Sequence, residues 1–280
     1  MSFMHLDTTN VALRRSFRRA LRTIAVLALL GASAAPAAAQ CKPGGGGPPF
    51  DGDWLNHYEG TINGTLRIRM TLSMRPDRVD GVYFYASQLK DIRVAGHVAT
   101  DGKTIQLDEL GPNGQPSARF EGEFAAKDPQ GHFGSSPLTC EVIVGTWRAE
   151  GSSKALPVYL VSESSSGGTL AHQYEVAGVT DDEVVHRGAR AFWDAVKRGD
   201  RQVVAALVAY PITIRLGERP VKIANAADFV VRYDEIFTPA FRDAVVKALP
   251  RNMFARDQGV MLGNGQVWFG PDGKVFAINP

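Results

Sequence analysis

The side chains that could do chemistry are few and scattered. His186 is the best placed, since an imidazole titrates near neutrality and can give or take a proton. It lies one position off the apolar face of a helical stretch. It either reaches inward as an acid or base, or stays outside as a solvated or capping residue. Asp194 offers a carboxylate from the same stretch, or else a surface ion pair with Arg198 four residues on. Asp228 and Arg232 repeat that spacing, and Asp234 is a further carboxylate. Tyr210, Arg215, Tyr233 and Trp268 combine aromatic walls with polar tips, the usual build of a small-molecule pocket. Core packing explains Trp268 and Tyr233 equally well. Arg67 and Arg69 share a strand face with Thr71. Pointing inward they would make a polar lumen for an anion; alternation with five apolar residues favours a solvated outer face.

Other chemistries find no support in these residues. The six histidines do not stand at zinc-ligand spacing, so no metal is expected. The Gly44-Gly45-Gly46-Gly47 run lacks the Lys-Ser/Thr and the following helix of a phosphate loop. No nucleophile stands in a recognisable arrangement with a base, no residue is assigned a catalytic role, and no cofactor is expected.

The elements that must position these residues fall into segments. Residues 1–39 read as a secretory signal: Arg14, Arg15, Arg18, Arg19 and Arg22, an apolar run over 24–30, then Ala37-Ala38-Ala39 before Gln40. The apolar run is shorter than the ~20 residues a membrane span needs. The Arg14-Arg15 pair leaves the Sec and twin-arginine routes both open. Removing this segment leaves 26 basic and 28 acidic residues, so nothing basic argues for nucleic acid. Cys41 and Cys140 remain, and an oxidising compartment permits a disulfide between them. Such a bond would close a loop worth up to ~4.7 kcal/mol in the chain-entropy model. Two free thiols, or a partner bond through Cys41, are the alternatives.

Residues 40–56 are Gly/Pro-rich and read as a flexible lead-in. Over 57–163 the period is two: Leu66, Ile68, Met70, Leu72 and Met74 alternate with polar residues. Asn63-Gly64, Asp101-Gly102 and Asn113-Gly114 supply tight turns. About eight short strands predict an antiparallel meander, closed into a barrel that leaves no free edge. The Ser/Gly run within 162–171 marks a boundary, with a linker over 164–178.

Over 179–280 the period turns helical. Thr180 and Glu183 suggest a capping box, and Val185, Ala189, Phe192, Trp193 and Val196 share one face. A second short helix and a hairpin beginning at Ile212 come next. Asn225 can cap a third helix and Thr238-Pro239 can open a fourth, before a closing strand meander. The expected fold class is α+β: an antiparallel β-barrel followed by a cone-like α+β domain with a curved antiparallel sheet.

Two resemblances follow from these residues. Tyr58-Glu59-Gly60, Gly81-Val82-Tyr83-Phe84-Tyr85, Phe120-Glu121-Gly122 and Gly145-Thr146-Trp147 stand at successive strands. The set resembles small lipocalin- or avidin-like barrels of exported bacterial proteins, through structural glycines and wall aromatics only. The helix and turn from Phe192 to Asp200, the stretch Ala227 to Asp234, and Gly259-Val260-Met261 with Val267-Trp268-Phe269 are similar to the nuclear-transport-factor-2-like cone. That resemblance implies a pocket but no single activity. The expected protein is periplasmic or secreted, and binds a ligand or another protein without catalysis. Its partner is an unidentified small molecule or envelope protein; nucleic acid and a membrane span after signal removal are not expected. The alternatives are a small hydratase, isomerase or hydrolase with its site in the cone, and an inhibitor or immunity-type protein acting on a secreted enzyme.

Overall fold

A computed structural model of the chain describes residues 54–125 and 142–280. The signal segment, residues 40–53 of the expected lead-in and both cysteines of the expected disulfide lie outside the described residues; residues 54–56 of that lead-in are strand.

Eight strands follow one another: β1 (Trp54–Ile62), β2 (Leu66–Met74), β3 (Val79–Tyr85), β4 (Ile92–Val98), β5 (Thr104–Leu110), β6 (Pro116–Ala125), β7 (Val142–Ala149) and β8 (Leu156–Gly167). Each pairs antiparallel with the next, and β8 pairs with β1, which closes the barrel. Alternation puts Ile68, Met70, Leu72 and Met74 of β2 inside, against Tyr83, Leu107, Phe120 and Leu160. Glycine permits the closest backbone approaches in the wall. A Cβ on Gly60 would meet the Tyr159 carbonyl of β8, and one on Gly145 the Glu121 carbonyl of β6. The lumen is filled: the void among Met70, Leu107, Phe120, Ile143 and Leu160 is ≈ 10 Å³, at or below what one water needs.

The Ser-rich stretch expected to be linker is largely strand. β8 runs on to Gly167, with Ser164 opposite His57 and Ser166 opposite Leu55. Serine is indifferent to strand geometry, and here the Ser165 and Ser166 hydroxyls find partners on β1. The barrel therefore extends to both sides of the expected 57–163.

The rest of the chain is α1 (Asp182–Arg198), α2 (Arg201–Ala206), β9 (Ile212–Leu216), β10 (Arg219–Ile223), α3 (Ala226–Val231), α4 (Tyr233–Ile236), α5 (Pro239–Lys247), β11 (Phe254–Arg256), β12 (Gly259–Leu262), β13 (Val267–Phe269) and β14 (Val275–Ile278). β9 and β10 form a hairpin, and β11 to β14 a four-stranded antiparallel meander. The class is α+β. Asn225 and Thr238 cap α3 and α5 as expected, each accepting from a backbone N–H three residues on. At α1 the cap is Asp181, which accepts from the Glu183 N–H, so the Thr180 capping box does not form. Val185, Ala189, Phe192 and Val196 of α1 join Phe229, Phe237 and Phe269 in a second core.

The described residues all fall within one compact unit, Ala39–Pro280. A polar clamp ties the β3–β4 loop to the C-terminal elements. Arg251 donates to both Asp91 oxygens, at 2.9 and 2.7 Å, and to Glu183 at 3.1 Å. Asn252 donates to Asp91 at 3.1 Å.

Candidate functional site

The outer face of β2 carries the polar residues Arg67, Arg69 and Thr71 that sequence alternation assigns to water. Two of the three are covered instead, and with them His57 of β1 and Ser166 of β8. Arg69 is 8% exposed, Thr71 and His57 0%, and Ser166 is buried. The solvated reading of the Arg67–Arg69–Thr71 face holds only for Arg67. The residues do point out of the lumen, but the C-terminal elements pack over that wall. His57 sits in the covered part, with Nδ1 3.0 Å from Thr71 Oγ1 and Nε2 2.9 Å from Ser166 Oγ. Each hydroxyl can donate or accept, so a neutral imidazole is satisfied on both nitrogens. Burial, then the Arg69 charge, push its pKa down to about 3.

Beside this lies a cleft of ≈ 330 Å³ between the barrel wall and α5, β11 and β12. Glu59, Arg67, Arg69, Glu163 and Ser164 line one side; Leu249, Phe254 and Met261 give the other an apolar patch, with Asn264 and Gln266 at its edge. Glu59 is held by two arginines: Oε1 accepts from Arg69 at 2.9 Å and Oε2 from Arg67 at 2.7 Å. Arg67 also donates to the Lys247 carbonyl at 2.8 Å, at the end of α5.

Glu163 enters by an irregularity in the wall. Tyr58 pairs with Ser162 and His57 with Ser164, so Glu163 is the extra residue of a β-bulge in β8. Bulges re-aim side chains, and here Glu163 and Ser164 both line the cleft. Burial, then the nearby Glu59 charge, raise the Glu163 pKa, with Arg69 and Arg67 opposing. Two buried groups in the cleft have no hydrogen-bond partner: Arg69 Nε and Ser164 Oγ. The wall of the cleft thus buries an unsatisfied donor and an unsatisfied hydroxyl, beside a carboxyl whose pKa is raised. No local signal in the sequence marks it, because a bulge and a covered wall are products of pairing and docking.

The residues expected to line a C-terminal pocket fall in different places. Tyr210 and Tyr233 sit at two ends of one aromatic chain through Phe229 and Phe237. Tyr210 donates to the Ala205 carbonyl at 2.8 Å; Tyr233 is 4% exposed, and its hydroxyl has no partner. Arg215 donates to the Glu218 carbonyl within its hairpin. Trp268 stacks under Arg256, at 5.0 Å.

His186 and Asp194 share a different, open cleft with Arg187, Arg190 and Arg251. His186 is 5% exposed rather than solvated. Nε2 lies 2.8 Å from the Tyr174 hydroxyl and Nδ1 3.1 Å from Glu183 Oε1. Tyr174 also accepts from the Met253 N–H at 2.9 Å. The consistent proton assignment has Nδ1–H donating to Glu183 and the tyrosine donating to Nε2, which leaves neither nitrogen free. Burial foremost keeps the His186 pKa below its ordinary value. Asp194 accepts from Arg190, four residues before it, not from Arg198. Asp228 accepts from Asn225, Arg232 pairs with Glu235, and Asp234 with Arg201.

Among the described residues, no helix is long and apolar enough to cross a membrane, and no group of three or more His, Cys, Asp or Glu is arranged to hold a metal ion. No family model matches the chain, and no curated protein or solved structure matches it.

Proposed function

We propose that this chain is an exported, non-catalytic binding protein whose ligand is a small polyhydroxylated molecule held in the Glu59–Glu163–Arg69 cleft. The observation that carries the reading is the β8 bulge, which turns Glu163 into the cleft beside Glu59 and its two arginines. A hydroxylated ligand matches this lining. It can accept from the half-exposed Arg67, exchange hydrogen bonds with the exposed Glu163 carboxyl, and lay an apolar face on Phe254 and Met261. Clefts between packed units are common places for such sites. The signal-like residues 1–39 support a periplasmic or secreted address. The element order after β8 supports a nuclear-transport-factor-2-like cone, with Leu207 and Ala209 bonded to Val275 so that β9 leaves from the edge of β14. The eight-stranded meander supports the lipocalin- or avidin-like reading of the barrel.

The test is a thermal-shift screen of the chain without residues 1–39, using mono- and disaccharides and polyols with amino acids and dicarboxylates as controls. A binder raises the melting point of the native state. The expected hit is a sugar or polyol whose effect is lost in Arg67→Met and in Glu163→Ala. A hit equally strong in both variants, or no hit in the hydroxylated set, would overturn the reading. One arrangement favours a second reading: a raised Glu163 beside Glu59, which pairs with two arginines, is also how an acid–base pair is built. If the bound sugar is a glycoside and is hydrolysed, with turnover lost but binding kept in Glu163→Gln, the protein is a hydrolase.

A further inference from the structure

The closed barrel carries a second polar feature, at the end opposite the β2–β3 turn and independent of the cleft. Glu109 follows Ile105 and Leu107 at alternate positions of β5 and so faces the barrel axis. It lies where β5 ends, next to a register shift with β6. Three neutral donors hold its carboxylate: the Tyr83 hydroxyl at 2.5 Å and the Trp147 indole N–H at 3.1 Å on Oε2, and the Ser117 hydroxyl at 2.8 Å on Oε1. Among the described residues, neither Lys nor Arg forms an ion pair with it. This differs from Glu59, which two arginines neutralise.

The surroundings suit a positive charge. A carboxylate accepts at about four positions, and three are occupied, so Oε1 keeps one open. Half-buried Tyr85 and Trp147 present aromatic surface at the same end, with Tyr83 packed edge-on against Tyr85 at 5.6 Å. Aromatic faces attract ammonium groups through the ring quadrupole. The void deeper among Met70, Leu107 and Phe120 is ≈ 10 Å³, too small for such a ligand, so the contact is made at the rim. We propose that this rim is a binding site for a small soluble organic ammonium ion, with Glu109 as counter-charge and Trp147 and Tyr85 as the aromatic wall.

The test uses the chain without residues 1–39 at fixed ionic strength, titrated with n-butylammonium and separately with 1-butanol, its uncharged counterpart. The Trp147 indole N–H resonance reports the site. Butylammonium should shift it saturably while 1-butanol does not, and Glu109→Gln should weaken the ammonium by about tenfold. Equal response to the two compounds, no response to butylammonium, or an affinity in folded Glu109→Gln within about twofold of the unsubstituted chain would overturn the proposal. The comparison of the two compounds needs no variant, so it decides the matter even if Glu109→Gln does not fold.

Discussion

His57 gives the fold a measurable acid sensitivity. In the unfolded chain its imidazole takes up a proton near 6.5, and in the folded chain only near 3. Between those values unfolding binds a proton, so stability present above 6.5 is lost progressively as pH falls toward 3. From about pH 7.5 to 4.5 the loss amounts to nearly two pKa units, about 3 kcal/mol from this one side chain. For a chain of this size that corresponds to about 6–12 °C in melting temperature. The reason is geometric. A protonated ring must donate from both nitrogens into a dry layer, beside Arg69, with only Thr71 and Ser166 as acceptors. The perturbation is His57→Gln, which cannot titrate. Urea denaturation at several pH values should show a wild-type slope that exceeds the variant's by about 1.4 kcal/mol per pH unit between 6 and 4.5. His186, also lowered, acts in the same direction but is common to both proteins. Parallel slopes would refute the claim that burial of His57 controls the acid limb.

Two further substitutions test how the parts are held. Asp91→Ala strips the bidentate partner from Arg251 and one acceptor from Asn252; it should cost about 3 kcal/mol in urea denaturation, and a loss under ~0.5 kcal/mol would mean the clamp is incidental. Gly60→Ala sets a methyl against the Tyr159 carbonyl at the seam where β1 meets β8; it should lower stability by about 1–3 kcal/mol by the same measurement, and a neutral result would show that the seam has slack.

Much of the fold was legible because short-range rules sufficed. The β2 alternation fixed which residues face the lumen, and turn chemistry at Asn63-Gly64 and Asp101-Gly102 separated the strands. Asn225 and Thr238-Pro239 marked two helix starts, since a capping side chain reaches only its own first turn. The third helical stretch was read as continuous but breaks at Arg232 into α3 and α4. The candidate site was hardly legible. Tyr210 and Tyr233, expected at a pocket, belong to an aromatic core; His186, expected either to reach inward as an acid or base or to stay solvated, is buried in a satisfied network.

The sequence by itself determined which side of each strand is apolar, because side-chain direction alternates along any extended chain. It could not determine what lies against the other side. A polar outer face reads as solvated whether water or another part of the chain covers it, and only docking of the C-terminal elements turned Arg69, Thr71 and His57 into buried groups. The Glu163 bulge has the same origin: it exists only as a mismatch between β8 and β1, two strands about 100 residues apart. Pairing and docking are long-range events, and they decided where charge was taken out of water.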